Sequence, residues 1–170
     1  MSVKTLLELD QQLTIKLRIS EENPGLKRIA AFLAHSGDSW FWGAALALLW
    51  FIGPVDWKPQ ILLLILGILF TAVSVLAMKF LIKRPRPEGE WGQIYRCSDP
   101  HSFPSGHAAR AIMLTTIMLL SGYTWIGAAM LIWALLVDIS RIGLGVHYIS
   151  DILAGTVIGV LMGILVYMLF

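Results

Sequence analysis

Apolar runs as long as a bilayer is thick leave a chain few possible folds. Here such runs extend from Ile61 to Ile82, Ala108 to Leu120, Trp125 to Ile139 and Ile152 to Phe170, with a shorter one from Trp40 to Ile52. A helix needs about 20 residues to cross a hydrocarbon core. No water reaches that core to satisfy an open backbone, so a spanning segment is a helix or part of a closed barrel. None of the runs alternates apolar with polar residues, which excludes the barrel. The expected fold is therefore all-α: a polytopic transmembrane helix bundle of about five spans, several of them full length only with their polar flanks. With 57% of its residues hydrophobic and 14% charged, the chain does not read as a soluble domain. Its 170 residues leave room for one membrane-embedded domain, with the bundle in residues 39–170.

Residues 1–38 have a different character. Leu6, Leu9, Leu13 and Leu17 recur at helical spacing among charges, and the stretch is too polar to cross. It reads as an N-terminal amphipathic helix, broken at Asn23-Pro24-Gly25 and resumed toward His35, which either lies at the bilayer interface or packs on the bundle's flank. This fits better than a signal peptide, since no compact apolar stretch precedes a small-residue cleavage site.

The net charge of +2 says little, but its placement says more. Lys79, Lys83, Arg84, Arg86 and Arg96 crowd into one stretch, with Arg110 and Arg141 near other span ends. Threading five spans through a bilayer brings the end of the second, the start of the third and the loop between the fourth and fifth to one face. All the polar clusters meet there, and only the short connections Gly53 to Lys58 and Ser121 to Trp125 and the apolar C-terminus fall opposite. Any chemistry is thus expected at one membrane surface. The lone Cys97 cannot form an internal disulfide.

Three clusters carry that chemistry. In Lys79 to Pro87, KFLIKRPRP, Lys79 and Arg86 stand where a span gives way to a proline-broken loop. They can clamp a phosphate, the arginine as a planar fork and the lysine as a point charge, or simply snorkel to the headgroups. In Phe103 to His107, FPSGH, Pro104 and Ser105 start a helix whose unpaired N–H groups and dipole attract anions. Gly106 lets a ligand approach the backbone, and His107 stands on the first turn as a proton donor, unless the group is only a helix cap. In Ser140 to Asp151, SRIGLGVHYISD, His147 and Asp151 lie four apart. If the helix has begun there, they share a face in a base-and-orienter arrangement, and Arg141 adds another phosphate fork.

The ordered pattern K-x6-RP, PSGH and SR-x5-H-x3-D, each piece at a span end, resembles the type-2 phosphatidic acid phosphatase superfamily of membrane lipid phosphatases. It matches at every defining position from Lys79 to Asp151. The polar start is similar to that of short bacterial members, among them undecaprenyl diphosphate and phosphatidylglycerophosphate phosphatases. The resemblance implies His147 as nucleophile forming a phosphohistidine, Asp151 orienting it, and His107 protonating the leaving oxygen. It implies Lys79, Arg86 and Arg141 as phosphate ligands, with Ser105 and the Gly106 backbone completing the cradle.

No cofactor is expected, and no metal either, because Glu88, Glu90, Asp99, Asp138 and Asp151 are scattered without ligand spacing. A phosphate site at headgroup level is best reached by a molecule whose tail stays in the bilayer. The expected partners are therefore the lipid bilayer and a membrane lipid phosphate or diphosphate. No nucleic acid is expected. The loop from Glu88 to Ser102 forms the rim, in which Trp91 and Tyr95 read as interfacial aromatics. A lipid phosphotransferase passing the phosphoryl group to another lipid's hydroxyl would use the same residues.

The N-terminal cations Lys4, Lys16, Arg18, Lys27 and Arg28 argue for a cytoplasmic N-terminus. The resemblance to bacterial members argues instead for a plasma (inner) membrane protein with an outward, periplasmic site and a cytoplasmic C-terminus. Two charges fall outside the pattern. Arg110 lies three residues past His107 and Asp138 three before Arg141, so both sit about one turn beneath the phosphate site. The expectation is that they pair with each other, or that Asp138 pairs with Arg141, because a lone charge at that depth is costly.

Overall fold

A computed structural model describes residues 3–89, 91 and 99–170. Seven α-helices are described: α1 (Val3–Lys16), α2 (Pro24–Ser36), α3 (Ser39–Ile52), α4 (Lys58–Ile82), α5 (Gly106–Leu120), α6 (Thr124–Gly143) and α7 (Ile149–Leu169), with a 3₁₀ turn at Val55–Trp57. The five apolar runs all form helices. Three segments, Val55–Ile82, Thr124–Gly143 and Ile149–Leu169, are long and apolar enough to cross a membrane. The helices Ser39–Ile52 and Gly106–Leu120 are apolar but shorter.

The first of the shorter helices is lined by exposed Phe41, Leu48 and Phe51; the second is the hub of the bundle. Ten of the fifteen residues of α5 are buried, from Ala108 to Met118. It packs against α4, α6 and above all α7. The approach to α7 is set by a stripe of glycines four residues apart. A Cβ on Gly155 would stand 2.6 Å from the Ser105 carbonyl oxygen, one on Gly159 2.5 Å from that of Ala109, and one on Gly163 2.7 Å from the Thr116 Cβ. Inside a bilayer, where apolar burial no longer drives helices together, such backbone proximity is what packs them.

The apolar core lies toward the far end of the bundle, where Leu46, Ile61, Leu64, Ile68, Met113, Leu114, Ile117, Met118 and Val166 interlock. At the opposite end meet the C-termini of α4 and α6 and the N-termini of α5 and α7. The two helix starts are tied directly, Ser105 N–H donating to the Asp151 carbonyl at 3.0 Å.

The N-terminal segment breaks where expected. Pro24 occupies the first helical turn of α2, which needs no donor from it, and α2 packs on α6. The orientation of α1 differs from an ordinary amphipathic helix. Leu6, Leu9, Leu13 and Leu17 are all exposed, so the leucine face does not pack on the bundle's flank. The inward face is the polar one: Asp10 Oδ1 accepts from the Ser150 N–H at 3.1 Å, and Thr14 Oγ1 from the Ile149 N–H at 3.3 Å. Two side chains of α1 thus satisfy the unpaired donors at the start of α7, the groups every helix N-terminus must place somewhere.

Candidate active site

Each cluster stands at the end of a helix that the core holds in place. Lys79 is in the last turn of α4, with a carbonyl accepting from Lys83 N–H at 2.9 Å as the helix closes. Ser105 is the N-cap of α5, its hydroxyl accepting from Ala108 N–H at 3.4 Å. Arg141 is fully buried near the end of α6. His147 lies in the turn between α6 and α7.

The structure brings together His147, His107, Lys79 and Gly106 on one cavity of about 240 Å³. Arg86, 2% exposed, reaches the same place from the loop after α4, its NH1 standing 3.2 Å from His147 Nε2 and donating to the Val146 carbonyl at 2.9 Å. Asp99 Oδ2 bridges the two cations, 2.5 Å from Lys79 Nζ and 2.8 Å from Arg86 NH2. A Cβ on Gly106 would meet only Val75, at an ordinary 3.5 Å, so packing within the protein does not demand glycine there. Among the described residues no group of three His, Cys, Asp or Glu side chains converges as a metal site.

The relation of His147 to Asp151 is less direct than the four-residue spacing implies. His147 precedes α7 rather than riding on it, so helical register is not what joins them. Asp151 instead folds back across the helix start, accepting from the Tyr148 N–H at 2.8 Å in a capping box. Its Oδ2 comes within 3.5 Å of His147 Nδ1 without forming a hydrogen bond, and among the described residues Nδ1 has no hydrogen-bond partner. The ring nevertheless has a fixed sense: Nδ1 toward the carboxylate, Nε2 toward the cations. Burial, with the positive charges of Arg141, Arg86 and Lys79, holds the His147 imidazole well below the ordinary histidine range, so it is neutral near pH 7.

Four residues of this end had no role in the reading of the three clusters. Arg84 donates from NH1 to Asp151 Oδ1 at 2.7 Å and to Ser150 Oγ at 2.6 Å, and from NH2 to Asp10 Oδ2 at 2.8 Å. Its guanidinium also lies 3.9 Å from the Tyr148 ring centroid. Asp10 closes this network, Asp99 bridges Lys79 and Arg86, and Asp38 Oδ1 stands 2.7 Å from His107 Nε2. Arg84 had a signal in the sequence, an arginine beyond the two cations a clamp needs. The three carboxylates had none.

The expected pairing of Arg110 with Asp138 is not what forms. Arg110 NH1 donates to the Gly37 carbonyl at 2.5 Å instead, because the junction of α2 and α3 lies over the start of α5. Asp138 is buried with its Oδ1 unpartnered, and no Asp138–Arg141 ion pair is found among the described residues. Within the expected rim, residue 90 and residues 92–98, which include Tyr95, Arg96 and Cys97, lie outside the described residues. Trp91 packs against Ala30, Ala34, Leu144 and Val146 rather than standing free at an interface.

A family model described as the PAP2 superfamily matches residues 60–170. The chain belongs to the PAP2 superfamily. Among curated PAP2-like relatives, the lipid A 1-phosphatase of Porphyromonas gingivalis is 32% identical over 115 residues, 66% of this chain and 24% of that protein. The chain therefore spans about a quarter of that relative's length. Among solved structures, the transmembrane PAP2-type phosphatidylglycerolphosphate phosphatase of Bacillus subtilis superposes with a TM-score of 0.76 at 24% identity, covering 97% of this chain and 86% of that one. Aquifex aeolicus LpxE gives 0.72 at 28% identity, covering 94% and 93%. The PAP2 match includes all three clusters and excludes α1 to α3, so Asp10 and Asp38 come from outside the matched segment. With three helices of spanning length and these membrane relatives, the chain is an integral membrane protein.

Proposed function

We propose that this chain hydrolyses a lipid phosphate or diphosphate through a phosphohistidine on His147. The observation that carries the reading is one cavity with two kinds of wall. At its polar end stand Lys79, His107, Arg110 and His147, and at its apolar end Ala72, Leu76 and Phe80, a stripe along the outer face of α4. A phosphate seated on the cations leaves its tail beside α4, where a bilayer would be. The names of the relatives support the same substrate class.

In this mechanism the phosphate displaces the Asp99 carboxylate from Lys79 and Arg86, and Arg141, Ser105 and the Gly106 N–H complete the cradle. His147 Nε2 attacks phosphorus in line. The N–P bond forms as the bond to the lipid oxygen breaks, and His107 gives its proton to the departing oxygen. Water then attacks the phosphohistidine, returning a proton to His107 and releasing inorganic phosphate and neutral His147. Fixed positive charge and helix N–H groups, oriented before the reaction, supply the electrostatic stabilisation that phosphoryl transfer mainly needs. Asp151, carrying its own bond from Arg84, holds the Nδ1 side of the nucleophile.

All five apolar helices cross the bilayer in this reading. At about 1.5 Å per residue α5 is short of a full crossing, but it begins inside a polar cavity rather than at the membrane surface. Helix α1 lies at the interface, leucines toward lipid. The site faces outward from the plasma membrane, on the family resemblance, and Phe170 faces the cytoplasm; a C-terminal reporter active only outside the cell would overturn that orientation.

The test of function is phosphate release in detergent micelles from a panel of lipid phosphates and diphosphates. Wild type releases phosphate, vanadate blocks release, and His147→Ala falls by at least about 10³-fold. Release by His147→Ala at the wild-type rate, or none from any substrate by wild type, would overturn the reading.

A further inference from the structure

The junction between α2 and α3 reaches into the site. Asp38 stands at the N-cap position of α3, where an aspartate ordinarily accepts from the helix's own N–H groups. Its side chain makes no such bond. The carboxylate is directed elsewhere: Oδ1 lies 2.7 Å from His107 Nε2, while Oδ2 lies 3.0 Å from His35 Nδ1 and accepts from Trp40 Nε1 at 3.1 Å. The neighbouring Gly37 carbonyl accepts from Arg110 on the next turn of α5. A Cβ on Gly37 would stand 3.2 Å from the His107 ring, so the backbone there is also drawn close. One short segment thus grips the first two turns of α5 at two points, and at one of them it holds an imidazole that lines the cavity.

We propose that Asp38 is the positioning carboxylate of the acid, holding His107 Nε2 so that Nδ1 presents its proton to the leaving lipid oxygen. The inference rests on the phosphatase reading above and extends it to a segment the family match does not reach. The site then has two carboxylate–imidazole pairs with opposed tasks. Asp151 approaches the neutral nucleophile at 3.5 Å, without a hydrogen bond. Asp38 makes a short bond to the ring that must carry a proton.

The charges facing His107 show why the acid needs that partner. From its own helix comes Arg110, from α6 Arg141, and on the same cavity stand Lys79 and His147. Apart from Asp99, which is engaged with Lys79 and Arg86, Asp38 is the carboxylate that pairs with His107 among the described residues. Burial by itself would raise the Asp38 carboxyl. The bonds from His107, His35 and Trp40 outweigh it and hold the carboxyl far below the usual range, so Asp38 remains an anion throughout the working pH. His35, with half of its side chain exposed, leads from this carboxylate to solvent.

The experiment compares wild type, Asp38→Asn, His107→Ala and the double variant on two esters: a lipid phosphate, whose alkoxide needs a proton, and an activated aryl phosphate, whose leaving group does not. Asp38→Asn is expected to lower kcat for the lipid about 10²-fold, the lower end of what a positioned general acid contributes, with little change in KM. It should leave the aryl phosphate within about threefold of wild type and draw the alkaline limb of the lipid profile to lower pH. The double variant should be no slower than His107→Ala alone. Equal losses on the two esters, or multiplied losses in the double variant, would show that Asp38 acts only on structure and sink the proposal. If Asp38→Asn does not purify folded, Asp38→Glu is read the same way: a lipid-selective loss supports the proposal and an equal loss overturns it. Failure of the phosphatase reading looks different, since wild type then releases phosphate from neither ester.

Discussion

The two ends of the bundle are built by different physics from the same helices. At the far end α4, α5 and α7 meet through Ile68, Leu114, Ile117 and Val166, contacts without direction that depend on volume. At the site end they are joined by hydrogen bonds, α5 to α7 through the backbone bond from Ser105 to Asp151 and α4 through its following loop, where Arg84 donates to Asp151 and Lys79 donates to the His101 carbonyl, contacts that tolerate little change in angle. Because α5 and α7 run through both, the apolar half acts as a ruler for the polar half. The glycine stripe on α7 fixes an interhelical distance at three levels, and the top level, Gly155 against Ser105, lies at the proposed phosphate cradle.

If that division holds, changes at the site end should alter rate with little change in stability, and changes at the far end the reverse. The largest effect is expected at Asp151. Asp151→Asn removes the anion beside His147 Nδ1 and should cut kcat by about 10³-fold or more, as loss of an orienting carboxylate does elsewhere. Arg84→Ala, which leaves Asp151 without its ion pair, should cost about 10- to 100-fold in kcat with KM nearly unchanged. Steady-state phosphate release measures both, and an Arg84→Ala enzyme as fast as wild type would remove Arg84 from the account.

Next comes the ruler itself. Gly159→Val forces α5 and α7 apart and should cost about 1 to 3 kcal/mol of stability, the usual range for overpacking, and lower kcat as well. Leu114→Ala should cost about 2 to 5 kcal/mol while leaving kcat within a few-fold. Thermal unfolding in detergent beside turnover distinguishes them. If Leu114→Ala proved as damaging to kcat as Gly159→Val, the two ends would not be separable.

A smaller effect concerns pH. The His147 imidazole is held below its ordinary value, and in the proposed mechanism its neutral form attacks, so the nucleophile should stay competent as pH falls through 6.5. The acid limb of the kcat/KM profile should therefore lie below the usual histidine range. The same sign applies to stability: protonating His147 in the fold is disfavoured, so its contribution is present above the unfolded-state value of about 6.5 and is lost as pH falls below it. A limb above pH 7 would contradict the burial of a neutral ring.

The smallest effect separates Arg110 from Asp138. Since the first is bonded to Gly37 and the second is not paired with it, Arg110→Gln and Asp138→Asn should add within about 0.5 kcal/mol in the double variant. A double variant markedly better than the summed singles would restore the pairing expected from depth alone.

What the sequence made legible follows from the range of the interactions. The spans were visible because apolar runs are contiguous, and the catalytic clusters because each is short and sits at a span end. Arg84 was visible only as one cation among several. The partners of these clusters were not visible, because Asp38 meets His107 across 69 positions and Asp10 meets Ser150 across 140. No local spacing encodes such contacts. The leucines of α1 left two readings open for a related reason, since helical spacing marks an apolar face but not whether the bundle or the surroundings takes it.

The central claim is that the phosphoryl group passes through His147, and trapping it is the most direct test. Wild type given a ³²P-labelled lipid phosphate and quenched in alkali should carry a label that is stable to base, labile to acid and located on His147 by peptide mapping. The label should be absent from His147→Ala and should accumulate when leaving-group departure outruns hydrolysis, as with an activated aryl phosphate. Label on another residue, or undiminished label in His147→Ala, would contradict the account.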